Sequence, residues 1–155
     1  MAISVGSKAP DFTLKSKQAS GLVDVKLSNN FGKKNTVLLF FPLAFTSVCT
    51  KEACAFRDGF AAFKKRGAVI LGVSPDSVKS HDKFVKKFEL PFTLISDEDK
   101  KIVEAYGVWG MKIFWGRKYL GTHRVTFLIG PDGRIKKIWP DVKPEEHAKE
   151  VLAAL

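Results

Sequence analysis

The only two thiols of this 155-residue chain lie five residues apart, at Cys49 and Cys54. A secreted scaffold of this size usually carries more cysteines, so the count does not indicate disulfide stapling. Two close cysteines in a chain of cytosolic character point instead to redox or metal chemistry. Metal is the weaker interpretation, because His81, His123 and His147 are scattered without zinc-site spacing. The pair is therefore predicted to do redox chemistry without a metal.

Cys49 is predicted to stand where a buried strand gives way to a helix. Residues 36–41 form a short apolar run typical of a central parallel strand, and residues 49–66 carry apolar side chains at helical spacing. Functional sites of open α/β sheets gather beyond the carboxyl ends of strands. The free N–H groups of a first helical turn also favour a thiolate over a thiol. Position alone leaves two readings equally open, a reactive thiolate and a buried cysteine acting as a small hydrophobe.

The rest of the chain alternates strands and helices. Strands are predicted at 68–73 and 92–95, and a final hairpin at 124–129 and 134–139 around the turn 130–133. Helices are predicted at 77–88, at 97–106 and from Pro144 to the end. With no repeat or linker, one domain over residues 1–155 is expected. The pattern predicts an α/β fold with a mixed, mainly parallel sheet, which is compatible with a thioredoxin-like fold among others.

The formal net charge of +10 raises the possibility of a nucleic-acid or anionic-membrane partner. The basic residues come only in short groups and in no nucleic-acid motif, so they are expected to form a solvated surface. No apolar run approaches the roughly 20 residues that a membrane span needs. The first ten residues lack a secretory signal pattern. A cytoplasmic protein with no nucleic-acid or membrane partner is therefore expected.

The residues before Cys49 resemble the signature of the peroxiredoxins. Residues 42–49 read Pro-Leu-Ala-Phe-Thr-Ser-Val-Cys and fit Pro-x-x-x-Thr-x-x-Cys. Residues 6–12, 49–58, 91–97, 106–110 and 121–129 are similar to the peroxiredoxin Q branch, also called bacterioferritin comigratory protein, within the alkyl hydroperoxide reductase/thiol-specific antioxidant family. The resemblance implies a thioredoxin-like fold with a central mixed sheet flanked by helices. It also implies a thiol peroxidase that serves antioxidant defence and redox homeostasis.

The resemblance assigns roles to individual residues. The Cys49 thiolate would attack the terminal oxygen of hydrogen peroxide or an organic hydroperoxide and become a sulfenic acid, with no cofactor. Pro42 would shield the thiolate, although it also serves to end the strand. Thr46 would hydrogen-bond the peroxide, although it also suits a helix cap.

Two charged residues complete the predicted site. Arg124 matches the family arginine that stabilises both thiolate and peroxide, a role for which its permanent charge is suited. Glu52 matches a glutamate of the branch; it either orients an arginine or is simply a favourable acid in the first helical turn.

Cys54 matches the resolving cysteine of one class of this branch. Five residues along a helix separate two side chains by about 7.5 Å of rise and about 140° of rotation, whereas a disulfide needs Cα atoms within roughly 7 Å. A Cys49–Cys54 disulfide is therefore predicted to require unwinding of the helix. Alternatively, Cys54 is a buried hydrophobe and an external thiol resolves Cys49. The resemblance implies thioredoxin or a similar dithiol as reductant and a monomer or weak homodimer.

Two other functional classes compete with the peroxidase. A thioredoxin-like dithiol exchanger carries Cys-x-x-Cys and a proline ahead of the hairpin strand, where this chain has Cys-x-x-x-x-Cys and His123-Arg124-Val125. A non-enzymatic basic binding protein is supported only by the net charge of +10.

Overall fold

The computed structural model describes residues 3–18, 21–30, 32–41, 47–114, 116–140 and 146–155. Its strands are β1 Thr13–Gln18, β2 Gly21–Lys26, β3 Asn35–Phe40, β4 Ala68–Ser74, β5 Thr93–Ser96, β6 Trp109–Phe114, β7 Arg117–Thr122, β8 Val125–Ile129 and β9 Ile135–Trp139. Its helices are α1 Ser47–Asp58, α2 Phe60–Lys65, α3 Val78–Phe88, α4 Lys101–Ala105 and α5 His147–Ala154, with a short 3-10 helix at Leu27–Asn30.

Seven strands form one mixed sheet in the order β2-β1-β5-β4-β3-β8-β9. The centre is parallel, since β3 pairs with β4 and β4 with β5 in the same direction. The outer pairs are antiparallel. The α/β architecture with a central mixed sheet flanked by helices is therefore confirmed.

Alternation along the central strands divides the core into two layers. Val37 and Leu39 of β3 face a cluster that includes α1, α2, α3 and α5. Leu38 and Phe40 face the opposite cluster, which includes α4 and the 3-10 helix. Successive side chains of a strand point to opposite faces, so an uninterrupted apolar run is what a strand covered on both sides requires. The apolar run at residues 36–41 thus forms an inner strand with one layer of the core on each face.

Two hairpins are present that the sequence patterns did not predict. β1 and β2 pair at one edge of the large sheet. β6 and β7 form a separate two-stranded sheet. In both hairpins polar or charged residues interrupt the apolar pattern, and one face of β2 is exposed. Strands of this kind lack the apolar run or strict alternation on which recognition depends.

The predicted helix at 49–66 is two helices. α1 begins two residues earlier, at Ser47, and ends at Asp58, and α2 follows after Gly59. The predicted helix at 97–106 is also shorter, because the Asp97 carboxylate accepts hydrogen bonds from the N–H groups of Ile102 and Val103. A carboxylate that caps these groups must lie outside the helix. The predicted start of the last helix at Pro144 lies outside the described residues, within which α5 begins at His147.

Within the described parts of the chain, no helix combines the length and the apolar character needed to cross a membrane.

Candidate active site

Cys49 lies in the first turn of α1, on the helix that follows the central strand β3. It is the third residue of that helix, and only 3% of it is exposed. The first four N–H groups of a helix have no partner within the helix, and the N–H of Cys49 is one of them. The predicted placement after a buried strand and at a helix start is therefore what the structure has.

Arg124 joins Cys49 to Glu52. Its Nη2 lies 3.1 Å from the Cys49 Sγ, and its Nη1 donates to Glu52 Oε2 at 2.7 Å. Glu52 follows Cys49 by three residues, so both side chains lie on the same face of α1. Arg124 is the residue immediately before β8, and β8 pairs with β3. The two arms of one guanidinium thus hold the thiol and the carboxylate together.

Charge and burial oppose each other in this group. Burial raises the pKa of the Glu52 carboxyl above its ordinary value, although contact with Arg124 acts in the opposite direction. Burial of the Arg124 guanidinium disfavours its charge, but Cys49 and Glu52 together raise the pKa of Arg124 above its ordinary value. Arg124 therefore carries a permanent positive charge against the sulfur.

The inner side of Cys49 backs onto an apolar pocket with a cavity volume of about 10 Å³. That volume holds one water molecule at most. Except for Glu52, whose Oε1 has no hydrogen-bond partner among the described residues, the pocket walls are apolar. A molecule larger than water therefore does not fit beside the sulfur on this side. The lining residues are Leu39, Phe41, Cys49, Glu52, Ala53, Gly72, Phe84, Phe92 and Leu94.

Cys54 lies farther along α1 and is partly exposed, and both cysteines are free thiols. Arg57 stands three residues beyond Cys54. A hydrogen bond to Asp58 and then the charge of Cys54 raise the pKa of Arg57 above its ordinary value. Arg57 also donates from Nη1 to the carbonyl of Phe88 at the end of α3, at 2.8 Å. Each cysteine thus has a guanidinium within electrostatic reach.

A row of rings behind the site was not predicted from the sequence. His147 is fully buried, with ring centroids 5.7 Å from Phe56 of α1 and 5.6 Å from Trp139 of β9. Its Nε2 lies 2.6 Å from Thr126 Oγ1. Burial, with the positive charge of Arg124 adding to it, lowers the pKa of His147 to about 4. No local pattern marks a lone histidine as a member of such a row, because its partners come from three distant segments.

Of the predicted site residues, Cys49, Glu52 and Arg124 meet directly. Cys54 lies on α1 with Cys49 and Glu52. Pro42 and Thr46 lie outside the described residues. Within the described ranges, no group of three or more His, Cys, Asp or Glu side chains could hold a metal ion.

The family model described as AhpC/TSA family matches residues 5–138. The chain belongs to the AhpC/TSA family. It is 47% identical over 155 residues to a putative peroxiredoxin bcp of Coxiella burnetii, with both chains covered completely. It is 46% identical over 155 residues to peroxiredoxin Bcp of Bacillus subtilis, covering all of this chain and 96% of the relative.

Solved structures agree with this AhpC/TSA membership. The bacterioferritin comigratory protein of Xanthomonas campestris superposes with a TM-score of 0.86 at 37% identity, covering 99% of this chain and 95% of the other. BcpB of Mycobacterium tuberculosis gives 0.84 at 30% identity, covering 97% and 95%. The thioredoxin-like fold and the place of this AhpC/TSA chain in the peroxiredoxin Q branch are thereby confirmed.

Proposed function

We propose that the protein is a thiol peroxidase in which the thiolate of Cys49 reduces hydrogen peroxide and organic hydroperoxides. The observation that carries the proposal is the 3.1 Å contact between Cys49 Sγ and Arg124 Nη2, with Glu52 holding the other arm of the guanidinium. A buried thiol that merely fills the core has no use for a permanent cation, whose own burial is costly. A cysteine that acts as a nucleophile must be a thiolate, and a neighbouring cation stabilises that thiolate.

In the proposed first step, the sulfur of Cys49 attacks the terminal oxygen of the peroxide, and the oxygen–oxygen bond breaks. The leaving oxygen takes up a proton and departs as water or an alcohol. Cys49 loses two electrons and becomes a sulfenic acid. Arg124 stabilises the negative charge as it passes from sulfur to oxygen. By family resemblance, Thr46 hydrogen-bonds the peroxide and Pro42 shields the sulfur from water.

In the proposed second step, the Cys54 thiolate attacks the oxidised sulfur of Cys49. A disulfide forms, and the hydroxyl group leaves as water after taking up a proton. Cys49 and Cys54 lie on one continuous helix in the reduced form, and the rise and rotation over five residues keep them apart. The step therefore requires α1 to unwind between them.

In the proposed third step, a dithiol such as thioredoxin reduces the disulfide. One donor thiolate attacks the disulfide to give a mixed disulfide, and the second donor thiol releases the protein as two thiols. The cycle serves antioxidant defence and redox homeostasis. We propose that it runs in the cytoplasm on one domain, residues 1–155, as a monomer or weak homodimer.

Rapid mixing with peroxide, followed by tryptophan fluorescence, tests the cycle. Trp139 is a suitable reporter, because the ring of His147 lies between it and Phe56 of α1. Wild type should show a fast change on oxidation and a slower one as α1 unwinds. Cys49→Ser should show neither change. Cys54→Ser should show only the first change and should not turn over with thioredoxin.

Two results would contradict the proposal. A fast peroxide-dependent change that survives in Cys49→Ser would remove Cys49 from the first step. Full thioredoxin-dependent turnover by Cys54→Ser would instead make an external thiol the resolving group and would leave the peroxidase step intact.

A further inference from the structure

Two of the exposed large apolar side chains lie side by side on the β6–β7 hairpin. Met111 and Leu120 are directly opposed cross-strand partners and are 56% and 60% exposed. Directly opposed residues of an antiparallel pair lie on the same face, so the two side chains form one apolar surface. Val5 and Leu22, the other large apolar side chains with this exposure in the described chain, belong to separate segments.

The surface continues along the same face of the hairpin. Trp109 lies two residues before Met111, and Lys118 lies two residues before Leu120, so period-two alternation puts all four on one side. We call these four residues the hairpin face. The two strands pair only with each other among the described strands. Trp109, at the base of the hairpin, packs against the core, and Met111, Leu120 and Lys118 form the exposed part of the face.

Charge around the hairpin face selects the kind of partner. The sequence contains no Asp or Glu between Glu104 and Asp132. Of its four Lys or Arg residues there, Arg124 is paired with Glu52 at the cysteine site, and the other three lie on the hairpin strands. Lys118 is exposed on the face itself, and the Nζ of Lys100 lies 5.0 Å from the ring centroid of Trp109. A second copy of this chain would bring like charges together, which is costly at an interface. An acidic partner would be attracted by the same charges.

The hairpin also adjoins the cysteine site. Thr122, the last residue of β7, precedes Arg124 by two residues. The N–H of His123 donates to the carbonyl of Val108 at 2.7 Å and ties the two ends of the hairpin together at its base. Arg124 in turn lies 3.1 Å from Cys49. The base of the hairpin therefore leads directly into the residue that contacts the Cys49 sulfur.

We infer that the hairpin face is the docking surface for an acidic protein dithiol, the electron donor of the cycle. The inference rests on the proposed function. The apolar pair supplies the buried centre of the contact and the cations supply attraction at its rim, as in other interfaces. The donor thiols pass two electrons to the Cys49–Cys54 disulfide, which becomes two thiols while the donor becomes a disulfide.

The test compares a protein donor with a small one. A bacterial thioredoxin of negative net charge, recycled by its reductase and NADPH, serves as the protein donor, and dithiothreitol as the small one. The double variant Met111→Ser/Leu120→Ser should lose about 10-fold in kcat/KM for thioredoxin, the loss expected when an interface centre is truncated. Its turnover with dithiothreitol and its oxidation by peroxide should stay at wild-type rates. Val5→Ser/Leu22→Ser, the matched control, should lose nothing with either donor.

The charge of the face is tested separately with Lys118→Glu. This variant should lower kcat/KM for thioredoxin at 50 mM salt, and the loss should shrink at high salt because exposed charges are then screened. Turnover with dithiothreitol should not change in either condition. Sedimentation of the reduced wild type should show no dimer that depends on Met111 and Leu120.

Several results would overturn the docking surface. Equal values of kcat/KM for thioredoxin in Met111→Ser/Leu120→Ser and in Val5→Ser/Leu22→Ser would contradict the docking surface. So would a wild type that turns over with dithiothreitol but not with thioredoxin. A dimer that the double variant abolishes would assign the face to a second copy. Failure of wild type to turn over with either donor would instead overturn the proposed function, and the docking surface with it.

Discussion

At the scale of single residues, the proposed chemistry depends on one guanidinium that contacts two partners. Arg124 contacts the Cys49 sulfur through one nitrogen and the Glu52 carboxylate through another. A planar fork with fixed geometry can make both contacts at once, whereas an ammonium group offers one point of charge. The carboxylate therefore acts by holding the arginine, and its own burial is tolerated because of that contact.

We expect Arg124→Lys to slow oxidation of Cys49 by about 10- to 100-fold, less than complete removal of a donor costs, because lysine keeps the charge but loses the planar fork. Glu52→Ala should slow it by about 10-fold, because Arg124 loses the carboxylate that holds its guanidinium in place. Glu52→Gln should do less harm, since an amide oxygen still accepts from Arg124. Stopped-flow fluorescence with hydrogen peroxide measures these rates. Arg57→Lys is the control, and an unchanged rate in Arg124→Lys would contradict the assignment.

Residue type alone reveals only part of this site. Cys49 and Cys54 stand out because they are the only thiols, but Arg124 is one of 26 basic residues and is recognisable only by family resemblance. Its contact with Cys49 spans 75 positions and exists because β8 pairs with β3. His147 gives no signal at all, since nothing local says that Phe56 and Trp139 will lie against it.

At the scale of elements, α1 is the part that the proposed cycle moves. Two features mark where its unwinding should stop. Gly59 separates α1 from α2: its N–H still donates to the Ala55 carbonyl, and a new helix begins at Phe60. Two residues before Gly59, Arg57 donates a hydrogen bond to the Phe88 carbonyl at the end of α3. The segment that carries both cysteines lies entirely before this anchor.

We expect oxidation with one equivalent of peroxide to expose the amides of Ser47–Phe56 to hydrogen exchange. Exchange reports local opening of such cooperative units. Amides of α2 and α3 should keep their protection, because the anchor at Arg57 and the helix boundary at Gly59 separate them from the opening. Mass-resolved exchange on reduced and oxidised protein measures this. Cys54→Ser, which cannot form the disulfide, should stay protected, and an oxidised wild type with α1 fully protected would contradict the unwinding step.

The elements that the sequence predicts well are those with strong periodicity. β3, β4 and β8 carry nearly continuous apolar runs, and α3 starts at its Ser77 cap, which accepts from the N–H of Ser80. The hairpins β1–β2 and β6–β7 lack such runs. β1 pairs with β2 and with the distant β5, and β6 and β7 pair with each other. The β6–β7 hairpin carries the proposed docking surface. The sequence pattern did not predict it, because a face exposed for a partner does not show the apolar pattern of a strand buried in the core.

At the scale of the whole molecule, two buried neutral imidazoles link the fold to pH. His147 lies between α1, β8 and β9. His81 of α3 contacts Ser74 at the end of β4, with Nε2 2.6 Å from the serine Oγ. Burial lowers the pKa of His81 to about 4 despite the nearby Asp76, and the pKa of His147 is similarly low. Helices on this side of the sheet are therefore packed around groups that ordinary unfolded chains protonate near pH 6.5.

We expect the reduced protein to lose stability as the pH falls from about 6.5 towards 4. In this window the unfolded chain binds protons at these histidines and the folded chain does not. The free energy of unfolding therefore decreases as the pH falls. Each histidine should contribute on the order of 1 to 2 kcal/mol between pH 7.5 and 5. Urea unfolding of wild type, His81→Gln and His147→Gln under reducing conditions measures the difference. Each variant should show a weaker pH dependence than wild type, and His123→Gln, at a half-buried position, is the matched control. A pH dependence in His147→Gln equal to that of wild type would show that this ring is not kept neutral by the fold.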